Sequence, residues 1–138
     1  MLLASTLSVI AATGVIGQTA AKPAADAKPA APVGYKNTDV EKFDKMRAEK
    51  NTVVLDVRTA DEFKTGHIPG AINLDVRATD FKEKVAKLDK SKIYLVHCAA
   101  GSRSVTACNA MAPLQFANLF NLEGGFSAWS KAGKPVEK

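Results

Sequence analysis

Two short runs, TVVLDV (52–57) and KIYLVH (92–97), are apolar almost without interruption. A strand with one wet face alternates polar and apolar residues, whereas a run apolar on both faces belongs to a sheet covered on both sides. Each run is followed by a stretch with helical features. After the first comes TADEFKTG, with Thr59 placed as an N-cap, acids in the first turn and Gly66 as a stop. After the second comes SRSVTACNAM, with Val105, Cys108 and Ala112 on one side. Strand, helix, strand, helix in succession predicts an α/β domain built on a parallel sheet with helices on both faces.

The remaining segments fit that alternation. TDVEKFDKMRA opens with Thr38 and, three residues on, Glu41, a capping-box pattern that predicts a short helix. HIPGAINL holds a Pro-Gly turn and then a short strand, and TDFKEKVAKLD places Phe81, Val85 and Leu88 at helical spacing. ANLFNLEGG predicts a last strand with a glycine break, and FSAWSKAG a final short helix. In AMAPLQFANLF, Pro113 and Gln115 shorten the helix that follows residue 102.

The chemistry is concentrated in HCAAGSRS, residues 97–104. In an open parallel sheet, sites form beyond the carboxyl ends of the strands, and KIYLVH delivers Cys98 to that edge. The residues after it can turn backbone N–H groups inward, and the helix starting near Ser102 adds its positive N-terminal end. Free cysteine titrates near 8.5, and these surroundings with Arg103 nearby lower that value, which favours a reactive thiolate at neutral pH. Cys108, inside the helix, reads as a buried small hydrophobe. Its separation from Cys98 along the helix, roughly 10 Å, is too long for a disulfide, so two free thiols are expected. His67 and His97 stand alone, and Cys98 has no second thiol at metal-ligand spacing, so no metal site is expected.

His-Cys at one end of the loop and Arg-Ser at the other resemble the signature of cysteine-dependent phosphatases. In this chain only Ala99, Ala100, Gly101 and Ser102 separate Cys98 from Arg103, one residue fewer than in that signature. A loop that wraps all the oxygens of a phosphate needs its perimeter, and the shorter ring suits a single extra sulfur on the cysteine. Loops of this length are the mark of the rhodanese family. LDVRTADEF (55–63), GHIPGAIN (66–73), the loop from Cys98 to Arg103, and NLEGGFSAW (121–129) resemble that family in order and spacing. The resemblance covers residues 36 to 138.

The resemblance implies a rhodanese-like open parallel sheet of about five strands and a sulfurtransferase of the thiosulfate type that needs no metal or organic cofactor. Cys98 would attack the outer sulfur of a donor such as thiosulfate, release sulfite and hold the sulfur as a persulfide. The N–H groups of Ala99, Ala100, Gly101, Ser102 and Arg103 would stabilise that anion, and Arg103 would help attract the donor. The implied partners are a small anionic sulfur donor and a thiol or cyanide acceptor, with a thioredoxin-like protein as one candidate. Some relatives that favour thiosulfate carry basic side chains where Ala99 and Ala100 stand, so donor preference is open. A phosphatase or arsenate reductase, or a rhodanese module that binds without catalysis, are the alternatives.

Several other polar residues have a structural explanation. Asp56, Arg58 and Glu62 are available as acids and bases, but Arg58 and Glu62 at a spacing of four read as a structural ion pair, and Asp56 as a hydrogen-bonding anchor at a strand end. His67 reads as the holder of the GHIPGA turn. His97 points away from the thiol if KIYLVH alternates as a strand should. Phe126 and Trp129 read as core of the last helix.

Composition enters at the N-terminus. The first 21 residues carry no charged side chain, although the 138-residue chain holds 19 Lys and Arg against 14 acids. An apolar stretch from Leu2 to about Gly17, followed by Thr19, Ala20 and Ala21, predicts a secretory signal peptide over 1–21, with an uncleaved anchor as the rival; no Lys or Arg follows Met1 at once. The Ala- and Pro-rich stretch 22–34 reads as a linker, and 35–138 as the folded domain. The expected location is a bacterial periplasm, with the membrane a partner only if the segment stays uncleaved. The net charge of +5 is spread among acids rather than gathered in a stripe, so a nucleic-acid partner is not expected.

Overall fold

The computed structural model describes residues 34–138; the expected signal segment and all but the last residue of the expected linker lie outside them. The near-continuous apolar runs become the two central strands of a five-stranded sheet. Its strands are β1 (Lys36–Thr38), β2 (Thr52–Asp56), β3 (Ile72–Asn73), β4 (Ile93–His97) and β5 (Asn118–Leu122), in the spatial order β1-β5-β4-β2-β3. Every pairing is parallel, with Val54 opposite Leu95 and Asp56 opposite His97 across the β2–β4 seam.

Among the described residues, five α-helices connect or follow the strands: α1 (Val40–Arg47), α2 (Ala60–Thr65), α3 (Phe81–Ala86), α4 (Ser102–Met111) and α5 (Gly125–Lys131). Alternation along the strands divides the core into two layers. Leu55, Tyr94, Val96 and Leu119 face Phe81 and Val85 of α3 and Ala107, Cys108 and Met111 of α4. Val54, Leu95 and Leu122 face Phe43 of α1 and Trp129 of α5. Phe43 and Trp129 meet edge to face with ring centroids 5.9 Å apart, and the burial of each contributes about 1.5–3 kcal/mol. The sheet is therefore covered by helices on both faces, as the two apolar runs require.

Two local readings are corrected, and one strand has no counterpart in the sequence reading. The polar stretch Lys36–Thr38 is that strand, because β5 offers it a parallel edge to pair with. Thr38 therefore cannot cap α1; the cap is Asp39, whose carboxylate accepts from the Lys42 N–H, and Glu41 instead meets Lys134. On α4 the buried face runs through Ser104, Ala107, Cys108 and Met111, so of the expected stripe of Val105, Cys108 and Ala112 only Cys108 lies fully inside. The Ser104 hydroxyl tolerates complete burial because it donates to the Gly101 carbonyl. The helix does stop early: a 3-10 turn over Ala112–Leu114 follows Met111, and Gln115 ends it in the left-handed region with φ 69°.

The strand order fixes where a site can form. From β2 the chain leaves toward β3, and from β4 it leaves toward β5, so the segments after these two neighbouring strands diverge and open a crevice at their carboxyl ends. DVRTADEF leaves β2 there, and HCAAGSRS leaves β4.

Candidate active site

Cys98 follows directly on β4 and lies on the α3/α4 side of the sheet, with 1% of its surface exposed. Its sulfur is the floor of the loop. The Gly101 N–H donates to Sγ at 3.1 Å, and Ser104 Oγ lies 3.5 Å away. Gly101 closes the turn in the left-handed region, φ 108°, and serves as the N-cap of α4. Burial pushes the thiol up, but the Ser104 hydroxyl and the backbone N–H groups of Ser104, Gly101 and Ala100 outweigh it, so Cys98 sits below the ordinary thiol value. Cys108 has no such donors. Burial and the nearby Cys98 push it up to about 12, and both thiols are free.

The loop is oriented from outside by the start of α5. The Phe126 N–H donates to the Cys98 carbonyl at 2.7 Å and the Ser127 N–H to the Ala99 carbonyl at 2.9 Å. In a trans peptide the N–H points opposite the carbonyl, so anchoring these two oxygens on α5 turns the N–H groups of Ala99 and Ala100 the other way, away from α5. A side chain at Gly125 would prevent the approach, since a Cβ there would lie 2.6 Å from the Cys98 oxygen and 2.8 Å from the Ala99 carbonyl carbon.

A buried ion pair supports the same corner. Arg58 folds back on the end of its own strand and donates to Asp56 through its backbone N–H, Nε and Nη2, the last at 2.7 Å. Nη2 also donates to the Gly66 carbonyl, and Asn73 Nδ2 donates to the carbonyls of Asp56 and Arg58. The guanidinium carbon lies 4.3 Å from the centroid of the Phe126 ring. Segments after β2, before β3 and after β5 are thereby tied to one another beneath the loop.

The expected Arg58–Glu62 pair does not form. Helix α2 begins at Ala60, so residues 58 and 62 do not share a helical face, and Arg58 is consumed by Asp56. Glu62 completes a capping box with Thr59 and extends its carboxylate across the crevice to Arg103, with Nη1–Oε2 2.8 Å and Nη2–Oε1 2.9 Å. Hydrogen bonds from Arg103, against burial and with Thr59 assisting, lower Glu62 to about 2. Asp56 is the hydrogen-bonding anchor its position suggested.

The two histidines lie away from the sulfur's donors. His97 is fully buried on the opposite face of the sheet, its Nδ1 3.2 Å from the Cys98 carbonyl and its Nε2 3.6 Å from Asp56, beyond hydrogen-bond reach. Burial lowers its basicity more than Asp56 raises it, so the ring is neutral. His67 stacks on Phe63 with centroids 3.7 Å apart, and its Nδ1 lies 2.9 Å from the Phe63 carbonyl, so it holds the turn after α2. Trp129 is core, its indole N–H donating to the Pro135 carbonyl; Phe126 is half-buried over Arg58.

Of the loop from Cys98 to Arg103, the structure places the Gly101 N–H on the sulfur and the Arg103 side chain on Glu62, with Ala100 and Ser102 exposed. Two contributors were not singled out from the sequence, Ser104 beside the thiol and Gly125 against the loop backbone, and Glu62 was assigned to Arg58 rather than to Arg103. The serine immediately after Arg103 and the paired glycines of NLEGGF were the available signals.

Comparison with known proteins agrees with this geometry. Residues 39–132 match the rhodanese-like domain family. The chain is 30% identical to the thiosulfate sulfurtransferase GlpE of Shewanella oneidensis, over 71% of this chain and 95% of the relative. It is also 30% identical to the chloroplastic rhodanese-like domain-containing protein 14 of Arabidopsis thaliana, over 86% of this chain and 76% of that one. Among solved structures, a rhodanese-related protein of Thermoplasma volcanium superposes with a TM-score of 0.66 at 31% identity, covering 75% of this chain and 98% of the other. With a parallel sheet in the order β1-β5-β4-β2-β3, a cysteine loop at its switch point and matches along most of its length, this chain belongs to the rhodanese-like family.

Proposed function

We propose that the protein is a sulfurtransferase that moves sulfane sulfur from thiosulfate or a similar donor to a thiophilic acceptor through a persulfide on Cys98. The Cys98 thiolate attacks the outer sulfur of the donor, the donor's S–S bond breaks, and sulfite departs with the bonding pair. A thiol or cyanide then takes the outer sulfur and regenerates the thiolate, a two-step covalent route. The observation that carries this reading is the convergence of the Gly101 N–H and the Ser104 hydroxyl on one sulfur held below the usual thiol value. The Gly101 N–H, fixed in place before the reaction, stabilises the thiolate and, one atom further out, the persulfide anion without reorganising. Sulfurtransferase relatives support the same class of activity.

Intact-mass spectrometry after thiosulfate treatment tests the proposal. A gain of about 32 Da, one sulfur atom, is expected on the wild type and not on Cys98→Ser. No gain with thiosulfate or any persulfide donor would overturn it. The uncharged segment over 1–21 supports export, so the reaction is assigned to a periplasm; fractionation of expressing cells should recover it there.

A further inference from the structure

Arg103 is the only cation of the loop from Cys98 to Arg103, and both of its terminal guanidinium nitrogens donate to Glu62. The pair is bidentate, the strong geometry for guanidinium and carboxylate, and Glu62 is itself fixed by the backbone N–H and hydroxyl of Thr59. Hydrogen bonds to Glu62, and beyond them the charges of Cys98 and Asp75, hold Arg103 firmly in its charged form. The other loop residues offer no compensating charge, and Ala100 presents only a methyl group to solvent.

We propose that Glu62 is a specificity-determining residue: by occupying Arg103 it selects against a doubly charged inorganic donor and favours the persulfide of an organic thiol. This rests on the sulfur-transfer reading above and adds the donor class to it. A thiosulfate dianion that pairs with Arg103 must share its guanidinium with Glu62 and meets the Glu62 charge with twice the repulsion felt by a monoanion. An organic persulfide carries at most one charge at its sulfurs, and its carbon stem can lie against Ala99 and Ala100. The transfer balances without an oxidant. The Cys98 thiolate attacks the outer sulfur of R–S–S–H, the donor S–S bond breaks, the inner sulfur leaves as R–S⁻ with the bonding pair, and the proton stays on the transferred sulfur.

The test compares kcat/KM for thiosulfate and for the persulfide of 2-mercaptoethanol, with cyanide as acceptor, in wild type and Glu62→Gln. Glutamine keeps an oxygen for the Thr59 N–H, so the helix start is preserved. The thiosulfate-to-persulfide ratio should rise about fivefold, mainly through a lower KM for thiosulfate. Ala100→Lys, at an exposed position, supplies a free cation beside intact Glu62 and should raise the same ratio. A ratio unchanged or lowered in both variants, while Cys98 still takes up sulfur from either donor, overturns the donor assignment alone. If neither donor adds sulfur to wild-type Cys98, the sulfur-transfer reading fails and this assignment with it.

Discussion

Gly125 packs so closely on the Cys98 carbonyl that a single added carbon would lie 2.6 Å from the oxygen. It also sits in the left-handed region, φ 58°. A side chain there costs about 1–2 kcal/mol in backbone strain before any clash is counted. Gly125→Ala must push the start of α5 off the loop and release the two carbonyls it anchors. Misplacing a reacting group by about 1 Å can cost on the order of 100-fold. Gly125→Ala is expected to lose sulfur-transfer activity by that order while its far-UV circular dichroism stays that of the wild type, and an activity within about twofold of wild type would show that the α5 clamp does not orient the loop.

The two thiols should differ sharply in reactivity. Hydrogen bonds hold Cys98 below the ordinary thiol value against its burial, and burial lifts Cys108 to about 12, so at any pH Cys98 holds the larger thiolate fraction. Iodoacetamide at pH 7 should label Cys98 alone, as read by peptide mass spectrometry. Ser104→Ala removes the hydroxyl contact that helps hold Cys98 below the ordinary thiol value. The acid limb of the pH-rate profile should then move to higher pH, and kcat/KM at pH 7 should fall about tenfold.

The layout of this domain was legible because its signals are local and strong. Two apolar runs announced central strands, and Thr59 with Glu62 announced α2, each from neighbours in sequence. What escaped was set by tertiary context. Lys36–Thr38 has no strand pattern of its own and is a strand only because β5 presents an edge. The spacing of Arg58 and Glu62 fits an ion pair, yet the turn before Ala60 sends one to Asp56 and the other to Arg103 across the crevice. The cysteine loop was readable by counting residues; the role of Gly125, 27 positions from Cys98, depends on a contact that no local pattern encodes.

Glu62 ties pH to stability. Its folded-state pKa is lowered from 4.5 to about 2, so the stabilisation is complete above about pH 4.5 and is lost as pH falls through the folded value. Unfolding midpoints in urea should therefore drop between pH 4.5 and 2 in the wild type. Glu62→Gln should flatten that part of the profile, and an identical acid limb in the two proteins would mean that the Arg103 contact contributes nothing to stability.

Asp56 and Arg58 form the buried pair on which three segments converge, with side chains 0% and 5% exposed. Removing one partner leaves the other charge in the interior without compensation, a loss that costs about 3–5 kcal/mol. Asp56→Asn should lower stability by that amount in urea unfolding, a large fraction of the 5–15 kcal/mol typical of a domain. Arg58→Met on top of it removes the stranded charge and should recover part of the loss, because an apolar replacement of a buried pair is often close to neutral. The Gly66 carbonyl loses its donor in that double variant, which limits the recovery. A double variant less stable than the sum of the two single losses would mean that the pair is not the unit that holds these segments together.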